Sequence, residues 1–100
     1  MEKLSFELTH AQKDVLDGLA YRIADNYYMI ERYGKTEAAA ELAENHKTIC
    51  GLFDKLDKLA VPFWLQNAVI FWAENWRAYK SEYMETGLKK AGYNVTFAEA

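Results

Sequence analysis

Apolar side chains recur every three to four residues along three long stretches of this chain, and a single proline interrupts them. That spacing stacks side chains on one face of an α-helix, whereas a half-buried strand would need strict alternation. Each helix marked in this way has to bury its stripe against a neighbour. One hundred residues suffice for one such core, because a chain of this size buries roughly two thirds of its unfolded surface. Hydrophobic residues make up 51% of the chain and aromatics 15%, while one proline and five glycines leave little punctuation for a many-stranded fold.

The first helix has a defined entrance. Thr9 followed by Gln12 fits a capping box, in which each side chain satisfies a free backbone donor at the helix start. From His10 the stripe runs through Leu16, Leu19, Ala20, Ile23, Tyr27 and Ile30, and Gly34 supplies the left-handed residue that ends helices. Thr36 is the expected cap of a second helix, with Glu37 in its first turn where the macrodipole favours an acid. The inward stripe of that helix reads Ala38, Leu42, His46, Ile49, Phe53, Leu56 and Ala60. Pro62 lacks an amide hydrogen and pushes Val61 out of helical geometry, so a third helix starts at Pro62. Leu65, Ala68, Val69, Trp72, Trp76, Tyr79 and Tyr83 form its stripe, and Gly92 closes it. The expected fold is therefore an all-α antiparallel three-helix bundle with helices at about 10–33, 37–59 and 62–91. Phe63, Trp64, Ile70 and Phe71 make the third helix apolar on nearly every side, which marks it as the central element or as part of an oligomer interface. Leu4, Phe6 and Leu8 alternate before the bundle and Tyr93, Val95 and Phe97 after it, as short extended segments that pair would do.

The single cysteine, Cys50, and the charged start Met1-Glu2-Lys3 point to a reducing cytoplasm. The longest apolar stretch, 61–73, holds Gln66 and Asn67 and is shorter than the roughly 20 residues of a membrane span. A net charge of −3 with scattered lysines and arginines disfavours nucleic acid as a partner, since a protein that tracks phosphates needs a basic stripe.

Little in the chain suggests catalysis. His46 and Cys50 sit four apart, yet two ligands do not make a metal site, and on the inward face the thiol would be an inert small hydrophobe. Asp14 with Asp17, and Asp54 with Asp57, fall on solvent-facing positions that suit a solvated surface better than general acid and base work. The five glycines are isolated and form no phosphate loop. No catalytic residue, metal or cofactor is assigned.

One segment resembles a known family. Ala39-Ala40-Glu41-Leu42-Ala43-Glu44-Asn45-His46-Lys47-Thr48-Ile49, continuing to Leu52, Phe53 and Leu56, is similar to the helix-turn-helix unit of bacterial regulators. The resemblance implies a small DNA-binding regulator that uses residues 38–57, with Lys47 and Thr48 toward DNA. Ala43 and acidic Glu44 stand where that turn usually carries glycine and an apolar residue. The stripe also runs through Leu42, His46, Ile49 and Phe53 without a phase slip, as one unbroken helix requires.

The remaining signal is a surface. Opposite the first stripe, Asp14, Asp17, Tyr21, Asp25, Tyr28 and Arg32 share one side of the first helix, and tyrosine and arginine among charges are the usual anchors of protein-binding patches. Phe63, Trp64 and Phe71 are candidates for self-association as a homodimer. The expected function is non-enzymatic binding of another protein. Size and acidity suggest, by analogy, a phage or mobile-element accessory protein such as an inhibitor of a host defence complex.

Overall fold

A computed structural model of the protein describes residues 4–98. In chain order it forms β1 (Ser5–Leu8), α1 (His10–Tyr33), α2 (Ala39–Lys58), α3 (Phe63–Glu74), α4 (Trp76–Ser81), α5 (Met84–Lys90) and β2 (Asn94–Phe97). The fold is mostly helical, with one small sheet.

The entrance to α1 is the expected capping box. Thr9 N–H donates to Gln12 Oε1 at 2.9 Å and Gln12 N–H to Thr9 Oγ1 at 3.2 Å. Gln12 then reaches across the molecule, donating from Nε2 to the Leu59 carbonyl, so one side chain fixes both the start of α1 and the end of α2. Gly34, at φ 85°, ends α1 where an L side chain would be strained.

The helix α2 starts at Ala39, two residues later than expected, and Thr36 does not cap it. The preceding residues make a turn in which Ala38 N–H donates to the Gly34 carbonyl and Ala39 N–H to that of Thr36. Its inward stripe is Ala38, Leu42, Asn45, Ile49, Leu52, Phe53 and Leu56, and His46 is exposed. Ala60 is exposed too, at φ 59°, in the turn that leaves α2.

The expected single helix over 62–91 is three helices. Asn75 leaves helical geometry at φ −91°, ψ 89°, and its side-chain oxygen accepts from Ala78 N–H to cap α4. Asparagine offers the backbone this alternative to continuing a helix. Glu82 and Tyr83 are extended, which separates α4 from α5 and leaves Tyr83 exposed instead of in the stripe. Gly92, at φ 99°, closes α5.

The spine of the molecule is α1, not the third stretch: α1 packs against α2, α3, α4 and β1. Leu16, Leu19 and Ala20 of α1 meet Leu56, Leu65, Val69, Ala73 and Leu88 in one core. The extended ends do pair, as a two-stranded parallel sheet in the register Ser5↔Asn94 to Leu8↔Phe97. Parallel strands need a crossover, and here the whole helical body provides it. Leu8 and Val95 drop into the core from the two strands.

Candidate functional site

The expected patch on α1 is only partly free. Asp14 is exposed, and Asp17 accepts from Lys13 Nζ at 2.7 Å. That bond is the main reason the Lys13 ammonium titrates above its usual range. Asp25 Oδ2 accepts from Asn45 on α2. Tyr21 is half exposed, with Arg22 over its ring. Tyr28 is half-buried, set edge-on against Trp76 at 5.0 Å between centroids, and Lys80 lies over its ring. Arg32 stays exposed at the rim of a cleft it shares with Tyr33 and Arg77. The neighbouring tyrosine, Tyr27, expected inside, is instead 41% exposed and donates to Glu74 at 2.7 Å. That bond is the first cause of its raised pKa, followed by desolvation. The two tyrosines thus exchange the environments the stripe assigns them, because α4 turns back onto α1 and Trp76 covers Tyr28.

The strongest exposed feature lies on α3. Phe63 is 74% exposed and Phe71 78%, although a helix so apolar ought to be covered nearly all round. They stand two turns apart with exposed Asn67 between them, so the three form one uncharged line at four-residue spacing. Trp64, grouped with them on sequence grounds, lies beside this line, half-buried and stacked on Tyr93 at 5.4 Å. Next to the line runs an open cleft of about 600 Å³, lined by Phe71, Trp72, Ala78, Gly87, Ala91 and Tyr93, with Asn67, Asn75 and Lys90 supplying polar edges.

The far wall of that cleft is held by Glu82. It accepts from Trp72 Nε1 at 2.9 Å and from Lys90 Nζ at 2.8 Å. The lysine first and the indole second hold its carboxyl below the usual carboxylate range. Gly87 permits the close contact: a Cβ there would stand 2.2 Å from Trp72 Nε1. Asn67, Tyr93 and Lys90 were not named as site residues from the sequence, where Tyr93 figured only in the alternating C-terminal segment. Asn67 alone carried a readable signal, the spacing that links it to Phe63 and Phe71.

His46 and Cys50 come together but not in the core. Both are exposed on α2, with Cys50 Sγ 3.7 Å from His46 Nε2, so the thiol is no buried hydrophobe. Among the described residues no three His, Cys, Asp or Glu side chains converge as a metal site. Residues 39–58 form one helix, so the two-helix unit implied by the resemblance to bacterial regulators is not formed. No helix among the described residues is long and apolar enough to cross a membrane. Compared with protein-family models, curated proteins and solved structures, the chain matches none.

Proposed function

We propose that this protein acts without catalysis, by binding another protein through the aromatic line of α3 and the cleft beside it. The observation that carries this reading is the exposure of Phe63 and Phe71, two rings in water on an uncharged line of helix. Burying one such ring contributes roughly 1.5–3 kcal/mol, which a partner recovers and the monomer forgoes. A convex apolar element such as an amphipathic helix fits the cleft, and acidic flanks on it would meet Lys89 and Lys90 at the end of α5. Two phenylalanines alone offer at most about 500 Å². A stable interface takes roughly 800 Å² from each side, so the partner has to fill the cleft as well as cover the ridge.

The face of Tyr21 and Tyr28 ranks second, because Tyr28 already packs on Trp76 and Asp17 and Asp25 already have partners. Size and acidity keep phage and mobile-element accessory proteins as the closest analogy, and a host defence complex is the first partner class to offer.

The test compares three forms of the chain as bait. Phe63→Ser with Phe71→Ser should keep helical circular dichroism and the urea midpoint, since both rings are already wet, and should lose the captured partner. Tyr21→Ala with Tyr28→Ala should lose stability through the Trp76 contact yet retain capture. If the phenylalanine variant captures as well as the parent, the α3 face is not the interface. Sedimentation of the purified chain identifies the occupant: a dimer that the same variant dissolves would make it a second copy.

A further inference from the structure

The cleft between the end of α1 and the start of α4 is charged unlike the chain as a whole. Tyr28, Glu31, Arg32, Tyr33, Trp76 and Arg77 line about 590 Å³ of open space, a size that suits a small molecule. A chain of net charge −3 gathers two arginines here, and Lys80 adds another cation, its Nζ 4.9 Å from the Tyr28 ring. Glu31 is the one acid in this lining, and it is already taken, because it accepts from both Arg77 amino groups and from Trp76 Nε1. Arg32 is exposed and has no hydrogen-bond or ion-pair partner among the described residues, so its whole fork of donors is open. The carbonyl end of α1 disfavours an anion, but Arg32 stands in its last turn and Gly34 N–H closes the Ile30 carbonyl.

The same cleft offers flat surface. Tyr33 is 54% exposed, and no ring or cation among the described residues packs on it. The Arg77 guanidinium lies over the Trp76 ring at 4.2 Å and adds a second plane to the indole. Nucleic-acid bases stack on tyrosine rings and on guanidinium planes alike, whereas the guanidinium fork matches the oxygens of a phosphate. Inorganic phosphate would use the arginine alone, and a neutral aromatic the rings alone. A ligand that uses both carries a planar ring and an anion in one molecule. Tyr33 also borders a smaller hollow with Glu37 and Glu41, so its ring stands between a cleft that attracts anions and one that repels them.

We infer that this cleft binds a nucleotide, with its base stacked on Tyr33 and its phosphate held by Arg32, while Arg77 and Lys80 add positive charge. The site shares no residue with the aromatic line of α3 or the cleft beside it, so it stands independently of the proposed partner interface.

The experiment is isothermal calorimetry of the full-length chain with adenosine monophosphate, adenosine and inorganic phosphate in turn. Expected is one adenosine monophosphate per chain, with an affinity that falls as salt rises. Adenosine and phosphate each lack one of the two recognised parts and should bind at least about tenfold more weakly. Arg32→Ala and Tyr33→Ala, both at exposed positions, should keep helical circular dichroism and the urea midpoint, and each should weaken nucleotide binding by about the same factor. Arg32→Lys keeps the charge without the fork and should fall between Arg32→Ala and the parent. Phe63→Ser with Phe71→Ser should bind the nucleotide as the parent does. The inference is overturned by no binding at millimolar nucleotide, by adenosine or phosphate binding as tightly as the nucleotide, or by unchanged affinity in Arg32→Ala or Tyr33→Ala.

Discussion

Two glycines in helices show how one residue type has opposite value at two addresses. Gly51 sits on the solvent side of α2, with nothing within 4 Å of where a Cβ would stand. Alanine there removes backbone freedom from the unfolded chain and should stabilise by about 0.5–1 kcal/mol. Gly87 has the indole of Trp72 against it, and an added Cβ 2.2 Å from Nε1 has no room. Gly87→Ala has to push Trp72 aside, break its bond to Glu82 and overpack the wall of the cleft, a change that costs typically about 1–3 kcal/mol. Urea unfolding of the two variants in parallel checks the pair of signs. Equal and favourable shifts would mean that the Trp72 contact does not constrain α5. Nothing in the sequence separates these glycines, since each sits within an ordinary helical stretch and only the tertiary neighbour differs.

Among the elements, α1 was the most legible, because its signals are local. The Thr9–Gln12 box and Gly34 mark both ends without reference to the rest of the chain. The stripe of α2 was readable except at one step, where Asn45 is buried and His46 is not. Hydrophobicity alone cannot make that choice, since neither residue is apolar. Partners decide it: Asn45 Oδ1 accepts from Arg22 at 2.8 Å, and its Nδ2 donates to Asn26 at 2.8 Å and Asp25 at 3.1 Å, all three on α1. A buried amide so fully bonded fixes the register between α1 and α2. Asn45→Ala should therefore cost about 1–3 kcal/mol in urea unfolding, whereas His46→Ala next to it should fall within about 0.5 kcal/mol of the parent. Equal effects at the two positions would put the register elsewhere. The third stretch was least legible, because a stripe at three- and four-residue spacing continues across Asn75 even though the backbone does not. Asn75 is a residue type that caps helices, so the first break had a signal that the apolar pattern outweighed. The second, at Glu82 and Tyr83, had none. The candidate surface follows from those breaks, since they fold α4 and α5 back to form the cleft beside Phe71 while leaving α3 uncovered on its outer line.

At the scale of the molecule, carboxylates fasten α4 to α1 and α5 to α3. Glu31 accepts from both Arg77 amino groups, at 3.0 and 2.7 Å, and from Trp76 Nε1, and Glu82 ties Trp72 to Lys90. Arg77 first and Trp76 second hold the Glu31 carboxyl below its ordinary value, while Lys90 and then Trp72 do the same for Glu82. A carboxyl whose folded pKa is depressed adds stability above its unfolded value, and that contribution is lost as pH falls through the folded one. Both groups start from an ordinary value of 4.5, so the contribution is complete at neutral pH and decays below about 4.5. The urea midpoint should accordingly fall between pH 7 and about pH 3, and Glu31→Gln should flatten part of that fall. Glutamine can still accept from Trp76 and Arg77 but does not titrate, which separates the loss of a charge from the loss of a contact. The Glu31 carboxyl is solvent-exposed and its ion pair with Arg77 is screened, so high salt should flatten its part of the same profile in the parent chain, whereas Glu82, its side chain only 17% exposed, is screened less. If Glu31→Gln and high salt each leave the slope unchanged, the acid sensitivity resides in other carboxylates, and the charge of Glu31 adds nothing to the contacts that hold α4 on α1.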